Sequence, residues 1–128
     1  MTEPRKIFQT DKAAVTGGPY SQAIIHNGMV YVSGQGAVDP KSNKIELGTI
    51  EHETRLAMQN LSIILEEAGS SLDQILSITA YLLDMDDYAG FNAVYKSFFK
   101  GGLPTRTCIQ AGKLPFETRV EITATAFI

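Results

Sequence analysis

The chain has 128 residues, of which 44% are apolar and 20% are charged, and its formal net charge is −3. This size and composition predict one globular domain, residues 1–128, with a hydrophobic core of its own. The mild acidity disfavours a nucleic-acid surface, which normally needs a basic face. No apolar run approaches the roughly 20 residues of a membrane span, so no membrane association is expected.

Cysteine and histidine are scarce in this sequence. The single cysteine, Cys108, cannot form an internal disulfide. The N-terminal segment lacks the apolar core of a signal peptide. Both features favour a reducing compartment, and we expect a cytoplasmic protein. Because His26 and His52 are the only histidines, a zinc site built from this chain alone is not expected.

The first half of the chain predicts a hairpin and then a helix. Residues 23–25 and 29–33 are apolar segments on either side of "HNG" at 26–28. We expect them to pair antiparallel, because Asn-Gly suits the positive φ angles of a hairpin turn. A polar loop, 38–48, then leads to a predicted helix over 50–68, where apolar residues recur at spacings of three and four.

The second half predicts one more helix between strands. Residues 75–83, 105–111 and 119–127 are predicted strands, and 86–99 is a predicted helix. The helix carries an apolar stripe that we expect in the core, formed by Phe91, Val94, Tyr95, Phe98 and Phe99. Two helices with five or six strands predict an α+β domain, in which one sheet has both helices on the same face.

Alternation along the strands divides this sheet into two faces. The aliphatic face, which we expect the helices to cover, comprises Leu76, Ile78, Ala80, Leu82, Val120, Ile122, Ala124 and Ala126. The polar face comprises Ser33, Ser77, Thr79, Tyr81, Glu121, Thr123 and Thr125, and we expect Arg106 and Cys108 to join it. A solvated face would more often carry Lys and Glu. The polar face therefore predicts contact with other copies of the chain, with Arg106 lining a cleft at the junction.

Two charged residues in strands are candidates for chemistry. The guanidinium of Arg106 stays charged and can hold a carboxylate through two parallel hydrogen bonds. The competing interpretation is a structural ion pair with a glutamate of its own chain. Glu121 lies in an otherwise apolar or Thr-rich strand, where an unpartnered carboxylate is costly. It either orients and deprotonates a water or simply pairs with Arg106 or Arg119.

The remaining candidates are weaker when each is taken alone. Cys108 has no visible base to make a thiolate, so we expect its main chain to contribute rather than its sulfur. Tyr20 lies on a Gly-Pro loop that would fix its ring, although an ordinary turn explains this loop equally well. Ser33 and Gly34 end a strand where a ligand could approach the backbone closely. Asn92 lies off the aromatic stripe of the second helix.

Several stretches together resemble one known family. The segments "GPYSQA", "VYVSGQ", "NAVYKSFF", "LPTRTCI" and "RVEITATAFI" occur in the order and spacing of the RidA/YjgF/YER057c/UK114 family, over about residues 13–128. The resemblance implies a chorismate-mutase-like fold with one mixed sheet of about six strands. It also implies a homotrimeric barrel with a cleft at each subunit junction.

The resemblance implies hydrolysis of reactive 2-imino acids, such as 2-iminopropanoate and 2-iminobutanoate, to 2-oxo acids and ammonia, without metal or organic cofactor. Matched residue by residue, Arg106 would hold the substrate carboxylate and Glu121 would position the attacking water. The other substrate-binding positions implied are Tyr20, Ser33, Gly34, Asn92 and Cys108. This scheme is physically sensible, because an imine is already electrophilic and needs only placement and modest acid–base help.

Two departures from the family pattern and two alternative functions stay open. Gly36-Ala37 and Ala111-Gly112 are smaller than the residues of many relatives, which predicts a roomier pocket if they lie near the cleft.

The chain could instead be a non-catalytic module in which Arg106 captures a small carboxylate, or a chaperone-like module. An RNA-directed role is disfavoured, because there is no basic stripe.

Overall fold

The computed structural model describes residues 3–128. Its strands and helices, in chain order, are β1 (Lys6–Phe8), β2 (Ala23–His26), β3 (Met29–Gln35), α1 (Ile50–Glu67), β4 (Ile75–Leu82), α2 (Tyr88–Ser97), β5 (Thr105–Gln110) and β6 (Val120–Phe127). The strands form one mixed sheet in the order β1-β2-β3-β6-β4-β5. Only the β4–β5 pair is parallel among these strands. The predicted α+β architecture is confirmed.

The local signals place most elements close to their predicted bounds. Asn27 and Gly28 have φ angles of 50° and 73°, so the tight turn between β2 and β3 forms as Asn-Gly predicts. The second helix is shorter than predicted, because a separate 3₁₀ turn occupies Met85–Asp87. Strand β1, only three residues long, has no sequence signal strong enough to predict it.

Both helices cover the same face of the sheet. Their buried side chains and the aliphatic side chains of the strands form a single core. The side chains with no exposed surface include Val30, Met58, Leu61, Ile64, Leu65, Leu82, Phe91, Val120 and Ile122. Leu76 is an exception to the predicted face, since 48% of it is exposed. A register shift between Ile75 and Ser77 turns it outward and places Ile75 in the core instead.

The face predicted for Arg106 and Cys108 is wrong. In the parallel β4–β5 pair, Arg106 lies beside Ile78 and Cys108 beside Ala80. Neighbouring residues of paired strands point to the same side of the sheet, so both side chains lie on the helix-covered face. Glu121 is paired with Tyr81 on the other face. The alternation of an edge strand such as "TRTCIQ" is too weakly apolar to choose its face, and the register with β4 decides it.

No helix among residues 3–128 combines the length and the hydrophobicity that crossing a lipid bilayer requires.

Candidate functional site

A cleft of about 470 Å³ opens beside the end of β3, on the face of the sheet away from the helices. Strands β3 and β6, the loop before β2 and the turn before β6 form its walls. Four predicted site residues lie together here: Tyr20, Ser33, Gly34 and Glu121. The structure therefore places four of the seven predicted site residues in one concave surface.

A β-bulge builds the floor of this cleft. Val32 pairs with Ala124 but Gln35 pairs with Ile122, so β3 has one residue more than β6 at Ser33-Gly34. Bulges of this kind redirect side chains next to functional sites. A Cβ atom added at Gly34 would lie 2.6 Å from Oε2 of Glu121. Only glycine leaves room for the carboxylate in this position.

The Glu121 carboxyl group is half-buried and has no ion pair among residues 3–128. The interpretation that it pairs with Arg106 or Arg119 is therefore wrong. Arg119 lies near Glu53 and Asp87 instead, with N–O distances of 3.9 and 3.3 Å. Burial raises the pKa of Glu121 above its ordinary value. A carboxylate with a raised pKa is a stronger base and is better suited to take a proton from water.

Loop contacts hold the other side chains of this cleft. The hydroxyl of Ser33 donates to the carbonyl of Ser21 at 2.6 Å, which ties the bulge to the loop before β2. Tyr20, which is 51% exposed, forms a hydrogen bond through its hydroxyl with the side chain of Thr16. A Cβ at Gly18 would clash with its ring. Gly18 and Thr16 thus fix the ring at the rim of the cleft.

Arg106 lies in a second environment, against α2. Its Nη1 donates to Oδ1 of Asn92 at 2.8 Å, and its Nη2 donates to the hydroxyl of Tyr88 at 2.9 Å. Its Cζ lies 5.5, 5.4 and 4.9 Å from the ring centroids of Tyr88, Phe91 and Tyr95. Such contacts stabilise a cation without neutralising it. The aromatic stripe predicted for the core therefore also forms a wall around the guanidinium.

No ion pair with a carboxylate is recorded for Arg106 in the part of the chain that the structure describes. The interpretation of Arg106 as half of a structural ion pair is therefore wrong. A guanidinium has more N–H groups than the two bonds to Asn92 and Tyr88 use. A cleft of about 340 Å³ lies beside it, lined also by Leu103 and Pro104. This arrangement leaves a positive charge and hydrogen-bond donors for an anionic ligand.

Tyr88 is in contact with Arg106 and is not among the residues that the sequence predicts for the site. It lies four residues before Asn92, so both side chains lie on one face of α2, and each accepts a hydrogen bond from Arg106. The available sequence signal was the i, i+4 spacing of Tyr88 from Asn92. This signal is useful only when it is known that this face of α2 packs against β5.

Cys108 lies on the same face of β5 as Arg106, and its side chain packs partly against the core. Burial raises the pKa of the Cys108 thiol, and the positive charge of Arg106 offsets this only in part. A thiol with a raised pKa is a poor nucleophile at neutral pH. The geometry is consistent with the expectation that the sulfur does no covalent chemistry.

The two clefts are separate within one chain and share no lining residue. Arg106 and Glu121 lie on opposite faces of the sheet, so a single chain does not bring them to one ligand. Gly36 and Ala37 line the Glu121 cleft, whereas Ala111 and Gly112 line neither cleft. Among residues 3–128 no cluster of three His, Cys, Asp or Glu side chains could hold a metal ion.

Comparison with known proteins places the chain in a family. The family model described as Endoribonuclease L-PSP matches residues 10–128. The mouse protein named 2-iminobutanoate/2-iminopropanoate deaminase is 40% identical over 122 residues, which are 95% of this chain and 90% of the mouse protein.

Two solved structures are similar over almost their whole length. The Yersinia pestis protein YyfA, described as a member of the conserved Rid protein family, has a TM-score of 0.94 and 32% identity, covering 98% of this chain and 100% of that chain. E. coli TdcF with bound serine has a TM-score of 0.91 and 36% identity, covering 96% of this chain and 98% of that chain. The chain therefore belongs to the RidA/YjgF family, whose fold it shares.

Proposed function

We propose that this protein is a hydrolase that deaminates small 2-imino acids, such as 2-iminopropanoate and 2-iminobutanoate, to 2-oxo acids and ammonia. The observation that carries the proposal is the pair of charged groups that have no charged partner among residues 3–128. Arg106 donates hydrogen bonds to the neutral side chains of Asn92 and Tyr88, and Glu121 is half-buried with a raised pKa. The name of the mouse relative as an imine deaminase supports the same activity.

Arg106 recognises the carboxylate that all 2-imino acids share. Asn92 and Tyr88 hold the guanidinium, so little rotational freedom is lost when a ligand binds. Arg106 is half-buried against three aromatic rings, and this partial burial strengthens charge-assisted hydrogen bonds to a carboxylate. The relative with bound serine supports an amino-acid-like ligand, since serine carries the same carboxylate.

Glu121 acts on the attacking water. The carboxylate accepts a proton from water as the oxygen bonds to the imine carbon, which gives a carbinolamine. Glu121 passes the proton taken from water to the nitrogen, and the hydroxyl proton follows through the same carboxylate, so the C–N bond breaks with its electron pair on ammonia as the C=O bond forms. Glu121 is a carboxylate again at the end of the cycle, so no oxidant, metal or organic cofactor is consumed. Binding and placement supply most of the acceleration.

A complete site requires two copies of the chain. Arg106 projects towards α2 on one face of the sheet, and Glu121 projects from the other face. We therefore propose that the Arg106 cleft of one subunit meets the Glu121 cleft of the next. A homotrimer with closed symmetry repeats this junction three times without leaving an unpaired half-site. The Ser- and Thr-rich surface of β4 and β6 suits contact between the subunits.

The activity test uses imines made in situ by an amino-acid oxidase and trapped by semicarbazide. The wild-type protein should suppress semicarbazone formation, and Arg106→Ala should not. Arg106→Lys should recover little, because an ammonium cannot reproduce the planar, two-pronged contact. If the wild-type protein suppresses no semicarbazone but binds 2-oxo acids through Arg106, the chain is the non-catalytic carboxylate-binding module instead.

Mixing two inactive variants tests the shared site. The purified variants Arg106→Ala and Glu121→Gln are each denatured, mixed in equal amounts and then refolded together. If each site combines Arg106 of one subunit with Glu121 of the next, random association gives both native side chains at roughly a quarter of the junctions. Partial activity should return only in the mixture. A mixture as inactive as its components would show that the two residues act within one chain or not in one site.

A further inference from the structure

An exposed aromatic ring lies in the Glu121 cleft, and the reaction as proposed gives it no role. Phe116 is 57% exposed and lines the same cleft as Glu121. It belongs to the 3₁₀ turn Pro115–Glu117, directly before β6. A large apolar side chain held in a concave surface, rather than scattered on the convex exterior, favours contact with an apolar group of a ligand.

The backbone that holds this ring is strained. Phe116 has φ 61° and ψ 17°, and Glu117 also has φ 61°. Side chains other than glycine rarely adopt this left-handed region, and two in succession are unusual. Pro115, with its fixed φ, precedes them. Strain of this kind persists at positions where it presents a side chain to a ligand.

Other residues of the cleft complement the ring. Tyr20 lines the same cleft, and Gly36 and Ala37 line it with the smallest side chains and so occupy little of its volume. Ala37 has no exposed surface, so it contributes apolar wall without projecting into the cleft. The two rings and these small residues make a mostly apolar space beside the Glu121 carboxylate.

We propose that Phe116 is a specificity-determining residue, which with Tyr20 forms an apolar subsite for the side chain of the imino acid; this rests on the proposed deaminase function. With the carboxylate at Arg106 and the imine carbon at Glu121, the remaining substituent of that carbon extends along the cleft wall. A methyl group leaves Phe116 uncovered. A branched aliphatic or aromatic side chain covers it, so imines of leucine and phenylalanine are the preferred substrates.

The test compares kcat/KM on imines derived from alanine, leucine and phenylalanine, by the same oxidase and semicarbazide assay. The wild-type protein should prefer the leucine-derived imine to the alanine-derived one by about tenfold, the scale on which apolar pockets discriminate. Phe116→Ala should remove this preference and keep activity on 2-iminopropanoate. Phe116→Leu should retain most of it. Ile7→Ala, which removes an equally exposed apolar side chain at the sheet edge (58%), should change nothing.

The outcomes separate this inference from the function on which it rests. If the wild-type protein hydrolyses no imine, both fail. If it hydrolyses 2-iminopropanoate but the leucine-to-alanine ratio is the same in Phe116→Ala, only the subsite is overturned. A uniform loss on all three imines together with a changed oligomeric mass by light scattering also overturns it, because Phe116 then packs against a neighbouring subunit. Circular dichroism confirms that each variant is folded.

Discussion

Gly34 and Glu121 are in such close contact that a methyl group on Gly34 would lie 2.6 Å from Oε2 and 2.9 Å from Cγ of the glutamate. The contact exists because the bulge in β3 brings an extra residue opposite β6. The atoms that would have to move belong to the end of a flexible side chain rather than to the backbone. The position of the carboxylate therefore depends directly on the absence of a side chain at residue 34.

Gly34→Ala should abolish most of the activity while leaving the fold intact. Gly34 has no positive φ, so alanine suits its backbone, and the Glu121 side chain must swing away. A displacement of this size costs about a hundredfold in kcat/KM when the displaced group aligns a nucleophile. Gly112→Ala is the matched control, since a Cβ there meets no atom within 4 Å. Equal activity of both variants would contradict the role given to Glu121.

The acid limb of the pH–rate profile should report Glu121. Burial raises its pKa, and only the carboxylate can accept a proton from water. The kcat/KM should therefore fall as the pH drops through a value above that of an ordinary glutamate. Arg106 stays charged over the whole pH range, so its ionisation does not change the shape of the pH–rate profile. A profile that stays flat down to the range of an exposed glutamate would contradict the assignment of Glu121 as the base.

The same pKa shift predicts a pH-dependent stability difference. Since the pKa of Glu121 is higher in the folded protein than in the unfolded chain, the folded state binds more protons between the two values. Stability is thus lost as the pH rises through that window. Glutamine at position 121 cannot ionise, so the free energy of unfolding of Glu121→Gln should exceed that of the wild type at pH values above the folded pKa of Glu121. At pH values below the unfolded pKa, the two free energies should converge. Urea titrations at several pH values measure both.

Cys108→Ala should keep most of its activity. The raised pKa of the thiol leaves little thiolate at neutral pH, and loss of a covalent nucleophile would instead cost several orders of magnitude in kcat. Iodoacetamide should likewise alkylate the native protein much more slowly than the unfolded chain. Loss of activity in Cys108→Ala, with unchanged oligomeric mass, would contradict this prediction and indicate that the cysteine acts as a nucleophile.

The sequence predicts the elements better than it predicts their relative placement. The Asn27-Gly28 turn and the spacing of apolar residues in α1 are local signals, and both are confirmed. The aromatic stripe of α2 is confirmed at Phe91, Val94 and Tyr95, whereas Phe98 and Phe99 lie beyond the helix and are only partly buried. The face of β5 is not local, because it depends on the parallel register with β4. A strand with a threonine or isoleucine on one parity and Arg106 and Cys108 on the other gives no clear apolar side.

The candidate site shows the same limit. Tyr20, Ser33, Gly34 and Glu121 are brought to one cleft, and Arg106 and Asn92 are in hydrogen-bond contact elsewhere. Motif matching supplies the members of both groups but not the separation between them. That separation is a property of the sheet, since strands β6 and β5 present these charged residues to opposite faces. Only the pairing of β4 with both neighbours reveals it.

A buried glutamate outside both clefts should support the Glu121 strand. Glu53 is 1% exposed and accepts hydrogen bonds from the amides of Gly48 and Arg119 at 3.0 and 2.8 Å. It therefore joins α1 to the start of β6, two residues before Glu121. Glu53→Ala leaves two donors without a partner and should lower the free energy of unfolding by about 3 kcal/mol. Glu66→Ala, on the exposed side of the same helix, should have almost no effect in the same urea titration. A loss for Glu53→Ala no larger than that of Glu66→Ala would show that water replaces the carboxylate and that Glu53 does not anchor β6.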